Sequence, residues 1–279
     1  QKVLNRIESL LSRQDLVTAS MRYSALADSK CIRAGLVFAS GKLEDQMDDA
    51  VLIDIATSIE LMHTYSLIHD DLPAMDDDGM RRGQASNHIK FNEATAILAG
   101  DALQALAFET IAASKGMTDG HKVKAVKMLA RACGHEGMVL GQQYDLDAEK
   151  NELLNIELIH SLKTAKLIQV ALTMPYLGNE IYNKTQVLLN EIGGKIGIAF
   201  QIMDDVLEAS SDSMTLGKSN QSDITNKKMT YVSVYGLEES IHKAEALSSF
   251  CIQQVQENFE LNKSNELIEL MNLMVSRSN

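Results

Sequence analysis

The chain has 279 residues, 45% of them apolar, with two prolines, three cysteines and no tryptophan. Its formal net charge of −12 argues against nucleic acid or an anionic membrane as a partner, because both select basic surfaces. No run approaches the roughly 20 apolar residues of a membrane-spanning helix. Cys31, Cys133 and Cys251 are widely spaced and odd in number, which indicates free thiols in a reducing compartment. We therefore expect a cytoplasmic protein without a membrane span.

Apolar residues recur at helical spacing along almost the whole chain. Val51, Ile55 and Met62 fall on one face of a predicted helix, which Pro73 ends because proline disfavours helical backbone at the residue before it. A second helix is predicted over Ala94–Ala113. Neither strand-like alternation nor turn-rich tracts recur at the spacing of a sheet. The sequence therefore predicts an all-α protein.

The densest charge lies in the segment HDDLPAMDDDGMRRG, where the acidic residues are Asp70, Asp71, Asp76, Asp77 and Asp78 and the basic residues are Arg81 and Arg82. Carboxylates this close repel one another, and desolvation raises the cost until a cation neutralises them. Mg²⁺ is suited to this because it takes oxygen ligands and is usually shared between one or two carboxylates and phosphate groups. Guanidinium groups bind phosphate oxygens through paired hydrogen bonds. The segment thus predicts a magnesium-assisted phosphate site, with a solvated acidic turn as the alternative.

A second acidic cluster follows the apolar stretch GGKIGIAFQIM and consists of Asp204, Asp205 and Glu208. Asp204 and Glu208 are four residues apart, so on a helix their carboxylates share a face. Each acidic cluster comes at the polar end of an apolar segment. If the two helices face each other, they line a cavity suited to a ligand with a diphosphate head and a hydrocarbon tail.

These motifs resemble those of the trans-isoprenyl diphosphate synthases, most closely the bacterial-type farnesyl diphosphate synthases. HDDLPAMD resembles the first aspartate-rich motif of that family, and FQIMDDVLE resembles the second. The intervening HIKFNEATAILAGDALQALAF, GMVLGQQYDL and HSLKTAKLI also match in order. The resemblance implies an all-α isoprenoid synthase fold, with one polyprenyl synthase domain over residues 1–279 and roughly ten or more helices around a central cavity. It also implies a homodimer.

The activity implied by the resemblance is condensation of isopentenyl diphosphate with an allylic diphosphate, dimethylallyl or geranyl diphosphate, to give farnesyl diphosphate. The expected ligands of Mg²⁺, or of Mn²⁺, are Asp70, Asp71, Asp76, Asp204, Asp205 and Glu208. The expected contacts of the allylic diphosphate are Arg81, Lys163, Gln201, Lys218 and Lys228, and Thr164 is also expected to bind the substrate. Asp70, Asp76, Lys163, Thr164 and Gln201 are expected to be catalytic, and Thr164 and Gln201 lie where the family stabilises an allylic cation. Lys218 and Lys228 fall in a polar segment, Ala209–Thr230, which we expect to be a mobile lid.

The isopentenyl diphosphate site is expected to use Lys30, Arg33, His63 and Arg82. The family signature here is GGKxxRP, whereas this chain has Asp28, Ser29 and Ala34 in place of the glycines and the proline. The carboxylate of Asp28 adds a negative charge near an anionic ligand, so we expect weaker binding of isopentenyl diphosphate. Glu208 likewise replaces the aspartate that usually ends the second motif.

Product length has one determinant that can be identified from the sequence. Tyr65 lies five positions before Asp70 and resembles the aromatic residue that floors the elongation pocket in bacterial farnesyl synthases. A core aromatic without this role is the alternative.

Three other functions are compatible with part of the pattern. Glu60/His63 and Glu157/His160 are two ExxH pairs, as in di-iron helical bundles, although iron binding would leave both acidic clusters unexplained. A terpene cyclase would keep the acidic clusters without needing Lys30, Arg33 and Arg82 together. A degenerate homologue could instead act as a regulatory subunit of another prenyltransferase.

Overall fold

The computed structural model describes residues 1–44, 48–148, 155–178, 180–216 and 229–276, and for residues 180 and 211–216 it describes the backbone alone. The helices within these ranges are α1 (Lys2–Leu10), α2 (Leu16–Ala25), α3 (Ile32–Gly41), α4 (Asp49–Asp70), α5 (Asn87–Lys90), α6 (Glu93–Ala112), α7 (Asp119–Cys133), α8 (Met138–Ala148), α9 (Ile156–His160), α10 (Lys166–Thr173), α11 (Asn183–Leu216), α12 (Tyr231–Tyr235), α13 (Leu237–Asn258) and α14 (Leu261–Val275). A π-helical turn, Ser161–Ala165, joins α9 to α10, and 3₁₀ turns cover Met174–Tyr176 and Glu180–Tyr182.

The all-α prediction is confirmed, with one small exception. Strands β1 (Met80–Arg81) and β2 (Gln84–Ala85) form an antiparallel hairpin with Met80 opposite Ala85. The predicted helix over Ala94–Ala113 corresponds to α6. Residues 209–216 continue α11, and residues 217–228 of the expected lid lie outside the described residues, so the lid stays a prediction.

The chain divides into two compact units, and unit 1 comprises Gln1–Met128 with Met174–Glu180. Its core is built on α4, which packs against α6, α3 and α1. The side chains of Ile59, Leu61 and Met62 on α4 and of Leu103 on α6 are fully buried. The buried hydroxyl of Tyr176 donates a hydrogen bond to the main-chain oxygen of Ser40 within the same unit.

The expectation that no segment is long and apolar enough to span a membrane is wrong by length and composition alone, because two helices among the described residues, α4 and α6, meet that test. They pack against each other along their lengths, and 72% of the apolar window of α4 is buried inside the protein. A helix in a protein core buries its apolar surface against other parts of the protein. This burial explains the apolar composition of α4 without a lipid bilayer.

Unit 2 comprises Leu129–Thr173 and Ile181–Asn279. Its central helix is α11, which packs on α10, the π-helical turn and α13. The side chains of Ile192, Ile196, Ala199 and Ile202 are fully buried along one stripe of α11, at the spacing that a core-facing helix requires. The single-domain assignment for residues 1–279 stays a prediction.

Candidate functional site

The first acidic motif forms the loop that follows α4 in unit 1. The helix ends at Asp70, and the next residues turn back on its last carbonyl groups, with the amide of Asp76 donating to the main-chain oxygen of Asp70 at 2.9 Å. Pro73 fits this turn because its position requires no amide donor. The loop therefore brings the backbones of Asp70 and Asp76 together although five residues separate them.

The two arginines that follow are presented by the short hairpin. Arg82 and Gly83 form its two-residue turn, and both have positive φ, 53° and 75°, as a type I′ turn requires. Gly83 adopts this backbone without strain, whereas for Arg82 it carries a cost. The paired strands fix Arg81 and Arg82 at consecutive positions beside the acidic loop. Together with Thr64 and Ser86 they line a small pocket.

Arg81 holds the middle of the motif through two carboxylates. It donates hydrogen bonds to the buried Asp71 and contacts the exposed Asp78 at 2.9 Å. Burial raises the pKa of Asp71, and the guanidinium of Arg81 opposes that shift. Asp71 thus orients Arg81, while Asp70 and Asp76 lie nearer the surface.

Several positively charged side chains of the same unit surround His63 of α4 and are called the positive group below. Arg33 of α3 donates to Nε2 of His63 at 3.1 Å, which places the proton of a neutral imidazole on Nδ1. Burial, reinforced by the charges of Arg33, Arg82 and Arg81, holds the pKa of His63 well below its usual 6.5. An uncharged imidazole with three guanidiniums around it is suited to binding an anion.

Glu60 fixes α3 next to this group. Its buried carboxylate accepts a hydrogen bond from the main-chain amide of Ala34 at 2.9 Å. Burial raises the pKa of Glu60, while that hydrogen bond and the charges of Arg33 and Arg82 act in the opposite direction. Sequence reasoning missed this role, because Glu60 was considered only as half of an ExxH pair.

The segment before α3 carries the replaced glycines. Cys31 caps the helix with φ of 45°, a left-handed conformation that a residue with a side chain adopts only at a cost. Its amide donates to Oγ of Ser29 at 3.2 Å, so the serine stabilises the turn that glycine usually makes. Asp28 and Lys30 are both exposed.

Tyr65 is 5% exposed and lies on a different face of α4 from His63. Its ring meets that of His69 edge to face, with centroids 5.7 Å apart. His69 Nε2 lies 3.0 Å from the main-chain oxygen of Ile97 on α6. A core position is consistent with either a pocket floor or an ordinary packing role, so the chain-length prediction stays a prediction.

In unit 2, Lys163 and Thr164 lie in the π-helical turn. Such single turns often mark functional positions, because they re-aim side chains within a helix. Close packing encloses the turn: a Cβ added at Gly141 of α8 would lie 2.3 Å from the backbone nitrogen of Lys163. Likewise, a Cβ at Gly197 of α11 would lie 2.6 Å from Cα of Ala165. The Nζ of Lys163 forms an ion pair with Asp145 at 2.5 Å.

A polar chain runs from this turn to the second acidic motif. Oγ1 of Thr164 donates to Oε1 of Gln201 at 2.8 Å, and Nε2 of Gln201 donates to Oδ1 of Asp205 at 3.2 Å. Asp205 is buried, Asp204 is half-buried and Glu208 is exposed. Adjacent residues of a helix point about 100° apart, which explains why Asp204 and Asp205 have different surroundings.

Most of the predicted site residues thus fall into two groups. In unit 1 the structure brings together Arg33, His63, Asp71, Arg81 and Arg82, and in unit 2 it brings together Lys163, Thr164, Gln201 and Asp205. Lys218 and Lys228 lie outside the described residues. Sequence reasoning missed Asp145 and Tyr231, whose partners are 18 and 26 residues away and left no signal in local spacing.

The two ExxH pairs are engaged in other contacts. Glu157 accepts from the hydroxyl of Tyr231 at 3.0 Å, while His160 lies 3.4 Å from Asp205. Glu60 and His63 are held by α3 as described above. Within the described ranges, no three His, Cys, Asp or Glu side chains are grouped so that they could hold a metal ion by themselves. These contacts disfavour a di-iron centre.

Comparison with known proteins gives consistent results for sequence and fold. The family model described as polyprenyl synthetase matches residues 14–271. Farnesyl diphosphate synthase from Haemophilus influenzae is 37% identical over 255 residues, covering 90% of this chain and 86% of that protein. The chloroplastic geranylgeranyl pyrophosphate synthase from Catharanthus roseus is 38% identical over 277 residues, which cover 98% of this chain and 77% of that protein. A geranyltransferase from Helicobacter pylori, solved in complex with magnesium and isoprenyl diphosphate, superimposes with a TM-score of 0.83 at 30% identity, covering 99% of this chain and 96% of that one.

Proposed function

Because the chain belongs to the polyprenyl synthetase family, we propose that it is a prenyltransferase that condenses isopentenyl diphosphate with dimethylallyl or geranyl diphosphate to give farnesyl diphosphate. The observation that carries this proposal is the conformation of the first acidic motif, in which Asp70 and Asp76 are joined by a backbone hydrogen bond beside Arg81. That arrangement combines carboxylates for metal ions with a guanidinium for phosphate oxygens. We treat the whole chain as one functional domain, since the family match spans both units.

The carboxylates present fit Mg²⁺ or Mn²⁺. All are oxygen donors, which Mg²⁺ takes together with water and phosphate oxygens. Asp70, Asp76 and Asp204 are the proposed ligands, with Glu208 acting through water and Asp71 holding Arg81. When bound, the metal neutralises the charge that develops on the leaving diphosphate.

The cationic side chains are proposed to orient the allylic diphosphate. Arg81 already has a fixed direction because Asp71 and Asp78 bind it, and Lys163 is fixed by Asp145. Lys218 and Lys228 are further proposed contacts. Such positioning lowers the barrier because the charges need not reorganise as the reaction proceeds. The allylic C–O bond then breaks, and its electron pair leaves with the diphosphate.

The resulting allylic cation is proposed to lie next to Thr164 and Gln201. The hydroxyl hydrogen of Thr164 is directed at Gln201, so the lone pairs of its oxygen remain available to a positive charge. The double bond of isopentenyl diphosphate attacks the cation, forming the new C–C bond. Loss of a proton from the adduct, with the released diphosphate as the base, restores the double bond.

Isopentenyl diphosphate is proposed to bind at the positive group of unit 1, formed by Lys30, Arg33, His63 and Arg82. The neutral state of His63 keeps it a hydrogen-bonding group, while the arginines supply the charge. Asp28 is exposed in the segment that leads to this group and weakens the attraction. We propose that binding is reduced but retained, because both basic residues of the signature are present.

The proposal is tested by incubating the purified protein with Mg²⁺, isopentenyl diphosphate and geranyl diphosphate, and identifying dephosphorylated products by mass spectrometry. Farnesol that disappears when Mg²⁺ is chelated supports the proposal. Asp70→Asn should abolish the product, whereas the matched removal of an exposed carboxylate on α13, Glu245→Gln, should not. Consumption of geranyl diphosphate without elongation would indicate a cyclase instead, and no consumption would indicate a regulatory homologue.

Two further features belong to the proposal. We propose a homodimer, for which the exposed apolar side chains of Ile97 and Leu98 on α6 offer a surface, and light scattering of the purified protein would measure its mass. We also propose a cytoplasmic location. All three cysteines are free thiols, as a reducing compartment favours.

A further inference from the structure

The carboxylate of Asp205 is surrounded by hydrogen-bond donors. Its side chain is buried, and Oδ1 accepts from Nε2 of Gln201 at 3.2 Å. Oδ2 accepts from the main-chain amide of Tyr231 at 2.7 Å and lies 3.4 Å from Nε2 of His160. Both oxygens are therefore engaged by protein groups. Because the side chain is buried and both oxygens already accept hydrogen bonds, few of its lone pairs remain accessible to a metal ion.

The same carboxylate determines the orientation of the neighbouring amide. An ionised carboxylate can only accept hydrogen bonds, so Gln201 must direct its NH₂ group towards Asp205. Its oxygen consequently faces Thr164, whose hydroxyl donates to it at 2.8 Å. With the hydrogen committed to Gln201, the oxygen of Thr164 presents its lone pairs elsewhere. Asp205 therefore determines the orientation of the amide of Gln201 and, through it, of the hydroxyl of Thr164.

The side chain of Tyr231 makes contacts that stabilise the fold and are separate from the polar chain. Its hydroxyl donates to Oε1 of Glu157 at 3.0 Å, and Lys243 pairs with the same carboxylate at 3.1 Å. The ring of Tyr231 stacks on that of His160 with centroids 6.1 Å apart. These contacts anchor the first turn of α12 but do not involve Gln201 or Thr164.

We propose that Asp205 is a positioning residue and not a metal ligand: by holding the amide of Gln201 it directs the electron-rich oxygen of Thr164 towards the allylic cation. This proposal rests on the proposed function, because the cation is an intermediate of that reaction. It separates two adjacent aspartates of one motif, with Asp204 assigned to the metal and Asp205 to the polar chain.

The test compares Asp205→Asn, Asp204→Asn and Tyr231→Phe. In Asp205→Asn the NH₂ group of the new amide can donate to the side-chain oxygen of Gln201. The amide of Gln201 then flips, so that its own NH₂ group faces the oxygen of Thr164. We expect kcat to fall by about 10- to 100-fold, the range for loss of a partner that orients a functional group, with the Mg²⁺ concentration for half-maximal activity unchanged. Asp204→Asn should raise that concentration by at least about tenfold, as loss of a ligand does.

Tyr231→Phe is the control for structural damage, because it removes the partly buried hydrogen bond from the hydroxyl to Glu157 and leaves the main-chain amide that binds Asp205. Its unfolding midpoint without metal should fall by a few degrees, as expected for about 1 kcal/mol, while kcat stays within about twofold of the wild type. The proposal is overturned if Asp205→Asn raises the Mg²⁺ requirement as Asp204→Asn does. It is also overturned if Asp205→Asn keeps wild-type kcat.

A separate readout distinguishes failure of this inference from failure of the proposed function. Mg²⁺ with inorganic diphosphate should raise the unfolding midpoint of the wild type and of Asp205→Asn by the same amount, and should raise that of Asp204→Asn less. This comparison needs no turnover, so it tests the assignment of the two aspartates even if the wild type elongates nothing. Loss of the Mg²⁺ effect in Asp205→Asn would contradict the assignment.

Discussion

Replacing Gly141 with alanine tests whether close packing around the π-helical turn positions Lys163. The added Cβ would lie 2.3 Å from the backbone nitrogen of Lys163 and 2.6 Å from its Cα. Ordinary contact begins near 3.4 Å, so α8 and the turn must separate by about 1.1 Å. No side-chain rotation relieves the clash, because the atoms that are met belong to the backbone.

The expected effects can be estimated from that displacement. Overpacking costs about 1–3 kcal/mol, with a backbone clash at the upper end. Alanine regains about 1 kcal/mol through its helix propensity. The net loss of about 2 kcal/mol corresponds to a fall of about 4–8 °C in the unfolding midpoint for a chain of this size. A shift of about 1 Å in a positioning group costs about 100-fold in rate, so kcat should fall by that order.

Scanning calorimetry and initial rates with geranyl and isopentenyl diphosphate measure the two effects. Gly120→Ala is the matched control, because Gly120 lies in α7 and an added Cβ there meets nothing within 4 Å. It should leave kcat unchanged and should not lower the midpoint. If Gly141→Ala keeps the wild-type midpoint and kcat, the packing argument is wrong.

Three further predictions concern the proposed substrate sites. His63→Gln should make the stability of the protein less sensitive to acid. The pKa of His63 is lowered in the folded state, so below about pH 6.5 the unfolded wild-type chain binds a proton at this residue that the folded chain does not bind. The free energy of unfolding of the wild type therefore falls with pH, and the variant lacks this contribution. Urea titrations at about pH 7.5 and 5.5 measure the free energy of unfolding. An equal loss between the two pH values in the wild type and in His63→Gln would contradict this prediction. Tyr65→Ala should give products longer than fifteen carbons by chromatography, while Tyr65→Phe should keep the wild-type product; an unchanged distribution in both would refute the pocket-floor role. Asp28→Gly should lower the KM for isopentenyl diphosphate by several-fold without changing that for geranyl diphosphate, and Asp28→Asn separates the effect of charge from that of backbone freedom.

The positions of both acidic motifs and of the long helices could be predicted from the sequence because they depend on local spacing. The helix that leads into Asp70 follows from apolar periodicity, and the end of that helix follows from Pro73. Close packing at Gly141 and Gly197 also follows from glycine in helical segments, where it is otherwise costly.

Other parts of the site depend on contacts between distant residues. The type I′ turn at Arg82 and Gly83 places an arginine in left-handed backbone, which sequence patterns do not favour. Asp204 and Asp205 look equivalent in the motif, but the amide of Tyr231 and the side chain of Gln201 meet only the second. Spacing within a helix could indicate that the two differ in direction, but not which one is buried.

The proposed reaction elongates dimethylallyl diphosphate by two successive condensations with isopentenyl diphosphate. The most direct measurement is the mass of the alcohol obtained from unlabelled dimethylallyl diphosphate and fully ¹³C-labelled isopentenyl diphosphate in the presence of Mg²⁺. We expect farnesol that carries two labelled five-carbon units. A product without label, or consumption of neither substrate, would contradict it.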